Sequence, residues 1–175
     1  MIKKLKKTPG LLWITGLSGS GKTTISLKLK KILSKKYSNI VLFDGDVIRK
    51  KLNINNSISF TYKERKKLGL KFVKLCKEFV EKDKFVIIAV MALIKDVQLE
   101  YKKIKNNMDV FLDVPIKELK KRDPKKLYKK YYNGEVKNIA GLDLKYDIPK
   151  NPTLSVKWNK TLTKQKIIKK ILKLF

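Results

Sequence analysis

Eight residues decide the fold of this chain: Gly16-Leu17-Ser18-Gly19-Ser20-Gly21-Lys22-Thr23, which follow directly on the apolar run Leu11–Thr15. They have the spacing G-x-x-x-x-G-K-T. In this pattern the glycines let backbone N–H groups close around the α- and β-phosphates of a nucleotide, the lysine reaches the β- and γ-phosphates, and the threonine hydroxyl can bind Mg²⁺. An apolar helical face follows, made of Ile25, Leu27, Leu29, Ile32 and Leu33. The stretch therefore predicts a phosphate-binding loop between a strand and a helix, and the binding of a nucleoside triphosphate.

The composition predicts one domain and excludes several kinds of chemistry. A chain of 175 residues can bury a sizeable core, and we expect a single domain over residues 1–175. The sequence holds no histidine, which excludes histidine-based general-base catalysis and histidine-containing zinc sites. Its single cysteine, Cys76, cannot form an intramolecular disulfide and fits core packing in a reducing cytoplasm. No apolar run reaches about 18 residues, so we expect neither a membrane-spanning segment nor a membrane partner.

The net charge of +29, from 44 Lys and Arg against 15 Asp and Glu, is compatible with two kinds of anionic ligand. Nucleic-acid-binding proteins have such a charge, but here the lysines are spread over almost every predicted helix, without an arginine-rich tail or regular aromatic interleaving. We therefore expect non-specific polyanion binding at low salt and no specific nucleic-acid partner. A small anionic nucleotide would also benefit from the positive field.

Apolar runs alternate with amphipathic stretches, which is typical of an α/β fold with a parallel sheet flanked by helices. The predicted strands are Leu11–Leu17, Ile40–Phe43, Phe85–Met91, Asp109–Asp113 and Leu154–Val156. The predicted helices are Lys22–Lys36, Lys63–Lys82, Lys95–Lys105, Pro115–Lys121 and Lys164–Leu174. Together with the phosphate-binding loop, this alternation predicts a P-loop NTPase-type sheet.

A lysine-rich segment late in the chain interrupts the alternation. Residues Lys125–Pro152 lack aliphatic periodicity and contain Gly134, Gly141, Pro149 and Pro152. Ligands of open parallel sheets bind beyond the carboxyl ends of the strands, where mobile lids close over them. We therefore predict a mobile basic lid over about residues 122–152. Its basic run, Arg122–Lys130, would neutralise charge on a transferred phosphoryl group.

The second predicted strand leads into an acidic pair, Asp44-Gly45-Asp46, and Arg49 follows one helical turn later. A carboxylate beside the loop can take the proton of an acceptor hydroxyl or hold Mg²⁺ through water. Arg49 can clamp an anionic acceptor in a bidentate manner. Two simpler interpretations stay open: a turn in which Asp46 caps a helix, and a plain surface charge at Arg49.

Together these motifs resemble the adenylylsulfate (APS) kinase family over nearly the whole chain. The family motif G-L-S-G-x-G-K-[ST]-T matches Gly16–Thr24, and D-G-D-N-[VI]-R matches Asp44–Arg49. The motifs V-D-x-P, R-D-P-K-G-L-Y-K-K and G-E-[IL]-K correspond to Leu112–Pro115, Arg122–Lys130 and Gly134–Lys137. The family's G-I-D-x-x-Y-E-x-P is similar to Gly141-Leu142-Asp143, Tyr146 and Pro149. The lid motifs are the most specific part of the resemblance.

The resemblance implies transfer of the γ-phosphoryl group of MgATP to the ribose 3′-hydroxyl of adenosine 5′-phosphosulfate. The resemblance also implies that Asp44 is the general base and acts with Lys22 in catalysis, and that Thr23 binds Mg²⁺. The residues implied for ATP are Gly16, Leu17, Ser18, Gly19, Ser20, Gly21, Lys22, Thr23, Thr24 and, at the adenine, Arg122. Those implied for the acceptor nucleotide are Asp46, Arg49, Phe60, Arg65, Lys125, Lys129, Lys130 and Ile139. Family members are often dimers, which makes a homodimer possible here.

The acceptor side departs from the family pattern G-F-S-x-x-D-R-x-x-N-x-R-R. Phe60 and Arg65 match it, but Leu68 replaces the asparagine and Leu70 replaces an arginine. The family's I-S-P-Y-R is Met91–Lys95 here, and its second stacking phenylalanine is Ile139. Aliphatic side chains stack more weakly on bases, since base stacking on an aromatic ring contributes ~1–3 kcal/mol in comparable sites. We therefore expect an altered acceptor pocket.

Other functions stay open beside adenylylsulfate kinase activity. Divergent relatives in capsule-polysaccharide gene clusters are similar in their changed S-P-Y region, and cytidine diphosphoramidate kinase is the main alternative, again acting on a ribose 3′-hydroxyl. Weaker alternatives are a small-metabolite kinase and a non-catalytic nucleotide- or polyanion-binding module. The intact Lys22, Thr23 and Asp44 argue against the module.

Overall fold

Five parallel strands form one sheet in the part of the chain that this computed structural model describes. The structure describes residues 10–51, except for the side chain of Lys51, and residues 61–175. The sheet order is β2-β3-β1-β4-β5. The strands are β1 (Leu11–Thr15), β2 (Ile40–Asp44), β3 (Phe85–Val90), β4 (Asn107–Asp113) and β5 (Leu154–Lys157). Because parallel strands share their direction, the residues that follow Thr15, Asp44, Val90 and Asp113 meet at one edge of the sheet.

Helices connect the strands and cover both faces of the sheet. They are α1 (Lys22–Leu33), α2 (Gly45–Lys51), α3 (Tyr62–Glu81), α4 (Lys95–Lys102), α5 (Ile116–Arg122), α6 (Leu127–Tyr132) and α7 (Lys164–Leu172). Helix α3 begins with a capping box, in which the Thr61 hydroxyl accepts from the Glu64 N–H and the Glu64 carboxylate accepts from the Thr61 N–H. None of the described helices is long and apolar enough to cross a bilayer.

Strand β1 separates two apolar cores because its side chains alternate between the faces of the sheet. Leu11 and Trp13 pack with α3 and α4, and the Trp13 ring stacks on Tyr101 with centroids 4.5 Å apart. Leu12 and Ile14 pack with α1 and α7 on the other face. A third cluster, the lid core, joins the end of β1 to the lid through Leu17, Leu93, Phe111, Leu119, Tyr128, Val136, Ile139 and Ala140.

The structure confirms the predicted parallel α/β sheet and adds two short helices, α2 and α6. Helix α6 lies inside the segment that we expected to be a loop, and of its residues Tyr128 is buried. A helix of six residues with one buried side chain has no apolar periodicity to detect. Strand β1 ends at Thr15 and not at Leu17, because the backbone turns into the phosphate-binding loop at Gly16.

Gly69 sets the distance between α3 and α4. A Cβ atom at this position would lie 2.7 Å from the Cγ2 atom of Val97, which is fully buried on α4. Valine has a stiff χ1 angle, so its side chain cannot move aside without strain. The glycine is therefore required by the close approach of the two helices.

We predict that Gly69→Ala lowers the free energy of unfolding by about 1 kcal/mol, because overpacking outweighs the gain in helix propensity. Urea denaturation measures the effect. Lys74→Ala, at an exposed position of the same helix, should change stability by less than about 0.5 kcal/mol. In a Val97→Ala background the crowding is removed, and Gly69→Ala should become neutral or stabilising. Equal losses in both backgrounds would show that Val97 is not the cause.

Candidate active site

The phosphate-binding loop has the backbone that its glycines permit. Gly19 and Gly21 have φ angles of +79° and +96°, which are strained for any residue with a Cβ atom. The Ser20 hydroxyl is buried and has no hydrogen-bond partner among the described residues. An unpartnered buried donor in a glycine-rich loop fits the phosphate of a nucleotide, which would accept its hydrogen bond.

The Lys22 ammonium lies against this loop and donates a hydrogen bond to the Leu17 carbonyl oxygen at 2.9 Å. Its desolvation, reinforced by the positive charges of Lys125 and Arg49, lowers the pKa of Lys22 to about 8, although Asp46 and Asp44 oppose the shift. Desolvation is thus the main cause of the lowered pKa of Lys22. The negative charge of a bound triphosphate would favour the charged ammonium.

Asp44 connects the end of β2 to the loop and to α2. Its Oδ2 atom accepts a hydrogen bond from the Thr23 hydroxyl at 2.6 Å. Its Oδ1 atom accepts from the N–H groups of Asp46 and Val47, at 2.9 and 3.3 Å. Asp44, and not Asp46, therefore supplies the carboxylate at the N-terminus of α2, so the interpretation of Asp46 as the cap is wrong. The two backbone contacts fix the orientation of the Asp44 carboxylate.

Asp46 is the carboxylate on which the cations of the site converge. Its Oδ1 atom forms an ion pair with Arg49 Nη2, and its Oδ2 atom forms one with Lys125 Nζ from the lid. Burial alone raises the pKa of Asp46, but the hydrogen bond from Lys125 and the charges of Arg49 and Lys22 outweigh it and hold the pKa below its usual value. Asp46 thereby ties α2 to the lid.

Arg65 joins the amino-terminal part of α3 to the lid. Its Nη2 atom donates to the Asn138 carbonyl oxygen at 2.8 Å. Desolvation and the neighbouring charge of Arg49 lower the pKa of Arg65 to about 10, against the attraction of Asp143. Arg49 and Arg65 therefore contribute to one positive region, as expected of groups that bind an anionic acceptor.

The lid contacts the loop directly. The Tyr128 hydroxyl, on α6, donates to the Ser18 carbonyl oxygen at 3.0 Å, and burial together with Asp123 raises its pKa. The Asp143 carboxylate accepts from the N–H groups of Asn138 and Ile139, at 2.8 and 2.6 Å. The Tyr128 contact holds the lid against the loop, whereas the Asp143 contacts order the backbone within the lid.

Asp147 is a residue that the sequence analysis missed. Its Oδ2 atom accepts from the Tyr62 hydroxyl at 2.9 Å and from the Lys95 N–H at 2.7 Å, while its carbonyl oxygen accepts from Gln98 Nε2 at 2.7 Å. Burial and this hydrogen bond raise the pKa of Tyr62 to about 12. Asp147 stands where the family motif has its glutamate after Tyr146, which is the signal that could have identified it.

The structure brings together part of the predicted site. Lys22, Thr23, Asp44, Asp46, Arg49 and Lys125 form one connected group, and Arg65 lies next to it. Arg122, Lys129 and Lys130 have exposed side chains, and Thr24 is half-buried. Ile139 is buried in the lid core, so its side chain offers little surface to a ligand. Phe60 lies outside the described residues.

The donor groups around Thr23 suit Mg²⁺ held jointly with a nucleotide. The Thr23 hydroxyl and the Asp44 carboxylate are hard oxygen ligands. Within residues 10–51 and 61–175, no group of three or more Asp, Glu, Cys or His side chains converges as a metal site. Magnesium characteristically uses one or two protein oxygens together with substrate phosphates, so the residues present fit that ion.

Comparison with known proteins places this site in a family. The family model described as adenylylsulphate kinase matches residues 8–157. The adenylyl-sulfate kinase of Clostridium kluyveri is 37% identical over 164 residues, which cover 93% of this chain and 81% of that protein. The cytidine diphosphoramidate kinase of Campylobacter jejuni is 33% identical over 146 residues, which cover 83% and 84%.

A solved structure agrees with these sequence matches. The APS kinase CysC of Mycobacterium tuberculosis, in complex with AMPPNP and APS, superposes with a TM-score of 0.84 at 25% identity, covering 97% of this chain and 98% of that one. The match extends over the sheet, the loop and the lid. From the motifs, the fold and these relatives it follows that the chain is a kinase of the adenylylsulphate kinase family.

Proposed function

We propose that this protein transfers the γ-phosphoryl group of ATP to the ribose 3′-hydroxyl of a 5′-modified nucleotide, with adenylyl sulfate as the acceptor. The observation that carries the proposal is the position of the Asp44 carboxylate, 2.6 Å from the Thr23 hydroxyl and oriented by two backbone N–H groups. A fixed carboxylate beside the phosphate-binding loop supports a role as the base that receives the proton of the acceptor hydroxyl.

In the proposed reaction the Asp44 Oδ2 atom takes the proton of the 3′-hydroxyl. A bond forms between the 3′-oxygen and the γ-phosphorus, the bond from that phosphorus to the β–γ bridging oxygen breaks, and ADP leaves with the electron pair. Lys22 and the loop N–H groups bind the phosphates and stabilise the charge that develops on them. Mg²⁺, when bound by Thr23, would neutralise further phosphate charge. Arg49 and Arg65 would bind the anionic 5′ group of the acceptor.

The lid completes the site in this proposal. Lys125 reaches Asp46 from the lid and lies close enough to act on Lys22, which supports a role for it in binding the transferred phosphate. Lys129, Lys130 and Arg122 are exposed, and their contacts with substrates stay predictions. Exclusion of water by the lid would favour transfer to the hydroxyl over hydrolysis of ATP.

Cytidine diphosphoramidate is a second candidate acceptor because of one observation. Leu68 and Leu70 pack against the core between the sheet and α3, and Ile139 is buried in the lid core. Three positions that are polar or aromatic in the family pattern have thus become part of the apolar cores. The relative from Campylobacter jejuni has that substrate in its name.

We also propose that the protein is located in the cytoplasm. Cys76 is a buried thiol whose pKa is raised by desolvation, and a single unreactive cysteine fits the reducing cytoplasm. The homodimer stays a prediction.

We predict that Asp44→Asn lowers kcat by about 10²–10⁴-fold, because the carboxamide cannot accept the proton. The Kd for ATP should change by less than about threefold, since the Asn oxygen still accepts from the Asp46 and Val47 N–H groups and preserves α2. Steady-state kinetics and ATP titration measure the two effects. Glu100→Gln, which makes the same chemical change at an exposed ion pair on α4, is the control and should leave kcat unchanged. An unchanged kcat in Asp44→Asn would remove its role as the base.

We predict that ATP affinity falls as the pH rises above about 8, because the pKa of Lys22 in the free protein is about 8 and binding requires the ammonium. Above this value, binding must take up a proton, so Kd should rise by up to about tenfold per pH unit. ATP titrations at a series of pH values give the profile. Lys22→Arg keeps its charge over this range and should bind ATP with a flatter profile. The same slope in Lys22→Arg would assign the titration to another group.

The acceptor is tested by comparing kcat/KM for adenylyl sulfate and cytidine diphosphoramidate at saturating ATP. We expect adenylyl sulfate to be preferred by at least about tenfold, because the two-ring adenine has a larger stacking surface than cytosine. The phosphorylated position is assigned by ³¹P NMR of the product. The reverse preference would establish the second candidate. Turnover of neither nucleotide, with ATP still bound, would overturn the proposed acceptor class.

A further inference from the structure

The acidic residues of this chain are confined to its middle. All 15 Asp and Glu residues lie between Asp44 and Asp147, whereas residues 1–43 contain ten lysines and residues 148–175 contain eight, without a single carboxylate side chain. These two acid-free segments are far apart in the sequence. Uniform lysine enrichment would not by itself separate the charges in this way.

Folding brings the described parts of the two segments together on one face of the molecule. Ile25, Leu29 and Leu33 of α1 share an apolar core with Ile168 and Ile171 of α7. The two helices therefore lie side by side over the same face of the sheet. Lys36, just after α1, donates a hydrogen bond to the Phe175 carbonyl oxygen at 3.3 Å, which joins their ends.

The outer surface of this helix pair is an unbalanced cationic face. Its exposed lysines are Lys28, Lys30, Lys31, Lys35, Lys164, Lys166, Lys169, Lys170 and Lys173. Among the described residues, none of these lysines forms an ion pair with an Asp or Glu side chain. On the other face of the sheet, in contrast, α3 and α4 carry the pairs Lys77–Glu81 and Lys103–Glu100.

An aliphatic side chain projects from the α1 part of this face. Leu27 is 55% exposed, and it lies about 200° around α1 from the buried Leu29. It therefore occupies the outermost line of the helix, next to Lys30 and Lys31. Ile32 on the same helix is 41% exposed.

The chemistry of the face distinguishes between anionic partners. Nucleic-acid interfaces that contact the bases use arginine forks and aromatic rings that stack with bases. The three arginines of the chain are Arg49, Arg65 and Arg122, and the large aromatic side chains that the described structure exposes are Tyr62 and Tyr132, so all five lie outside α1 and α7. Lysines around a projecting aliphatic residue are instead typical of proteins that bind the surface of an anionic bilayer.

We propose that the outer face of α1 and α7 docks the protein onto an anionic lipid surface, with Leu27 inserting among the headgroups. The expectation of no membrane partner rested on the absence of a spanning segment, and surface docking needs none. Asp44 and the loop lie at the edge of the sheet where the strands end, so docking through the helix faces leaves the active site open to small substrates.

The test uses the full chain and vesicles of phosphatidylcholine with or without phosphatidylglycerol, sedimented at physiological ionic strength. The docking variant replaces five lysines by glutamine: Lys31, Lys35, Lys169, Lys170 and Lys173. A control variant makes the same charge change on the other face, at Lys74, Lys77, Lys82, Lys84 and Lys103. We expect the wild type to bind the anionic vesicles only, and the docking variant to bind at least about 100-fold more weakly. The control variant should bind within about threefold of the wild type under these conditions.

A single substitution separates lipid from other polyanions. Leu27→Gln should weaken vesicle binding by about tenfold, because its aliphatic side chain no longer enters the headgroup region. Binding of the same variant to a single-stranded RNA should be unchanged. All these variants should keep the kcat of the wild type, which separates failure of docking from failure of the proposed kinase activity.

Three outcomes would overturn the proposal. The first is an absence of vesicle binding by the wild type at physiological ionic strength. The second is an equal loss of binding in the control variant, which would assign the attraction to net charge. The third is unchanged vesicle binding by Leu27→Gln together with tighter binding to RNA than to vesicles, which would make nucleic acid the partner.

Discussion

A single carboxylate, Asp46, holds the cations of this site together. Arg49 and Lys125 form ion pairs with its two oxygens, and its charge also acts on Lys22. With Asp44, two carboxylates act among the three cations Lys22, Arg49 and Lys125, which leaves a net positive charge. Desolvation is the first cause of the lowered pKa of both Lys22 and Arg65, and for Arg65 the positive charge of Arg49 is the second. Such a site gains most from a ligand with several negative charges, as ATP and a nucleotide acceptor have.

Leu17 connects the chemistry to the fold. Its side chain belongs to the lid core, while its carbonyl oxygen accepts the hydrogen bond of the Lys22 ammonium. Tyr128 makes a second link, because its ring is in the same core and its hydroxyl reaches the Ser18 carbonyl. A movement of the lid therefore changes the surroundings of the loop through packed side chains as well as through the ion pair between Lys125 and Asp46.

Most of the sheet could be predicted from the sequence because β1 and β3 are continuous apolar runs. Such runs are typical of strands that are buried on both faces. Helix α6 was not predicted because it is short and has one buried residue, Tyr128, so its sequence shows no apolar periodicity. At the site, the motifs predicted Lys22, Thr23 and Asp44, which the structure places close together. The motifs could not assign the cap of α2 to Asp44 or connect Asp147 with Tyr62, since both depend on contacts formed only after folding.

Packing in the apolar cores explains why three positions that are polar or aromatic in the family pattern are aliphatic here. Leu68 and Leu70 face the packing between α3 and the sheet, and Ile139 fills the lid core, so an apolar side chain at each position gains burial. Polar groups lost there must be replaced by others if a nucleotide is to be selected. Arg49, Arg65 and the hydrogen-bonded pair of Tyr62 and Asp147 are polar groups on α2, α3 and the lid that could take this part. In the proposed function, selection of the acceptor would depend on groups held by α2, α3 and the lid together, because Asp46 and Arg65 join these elements.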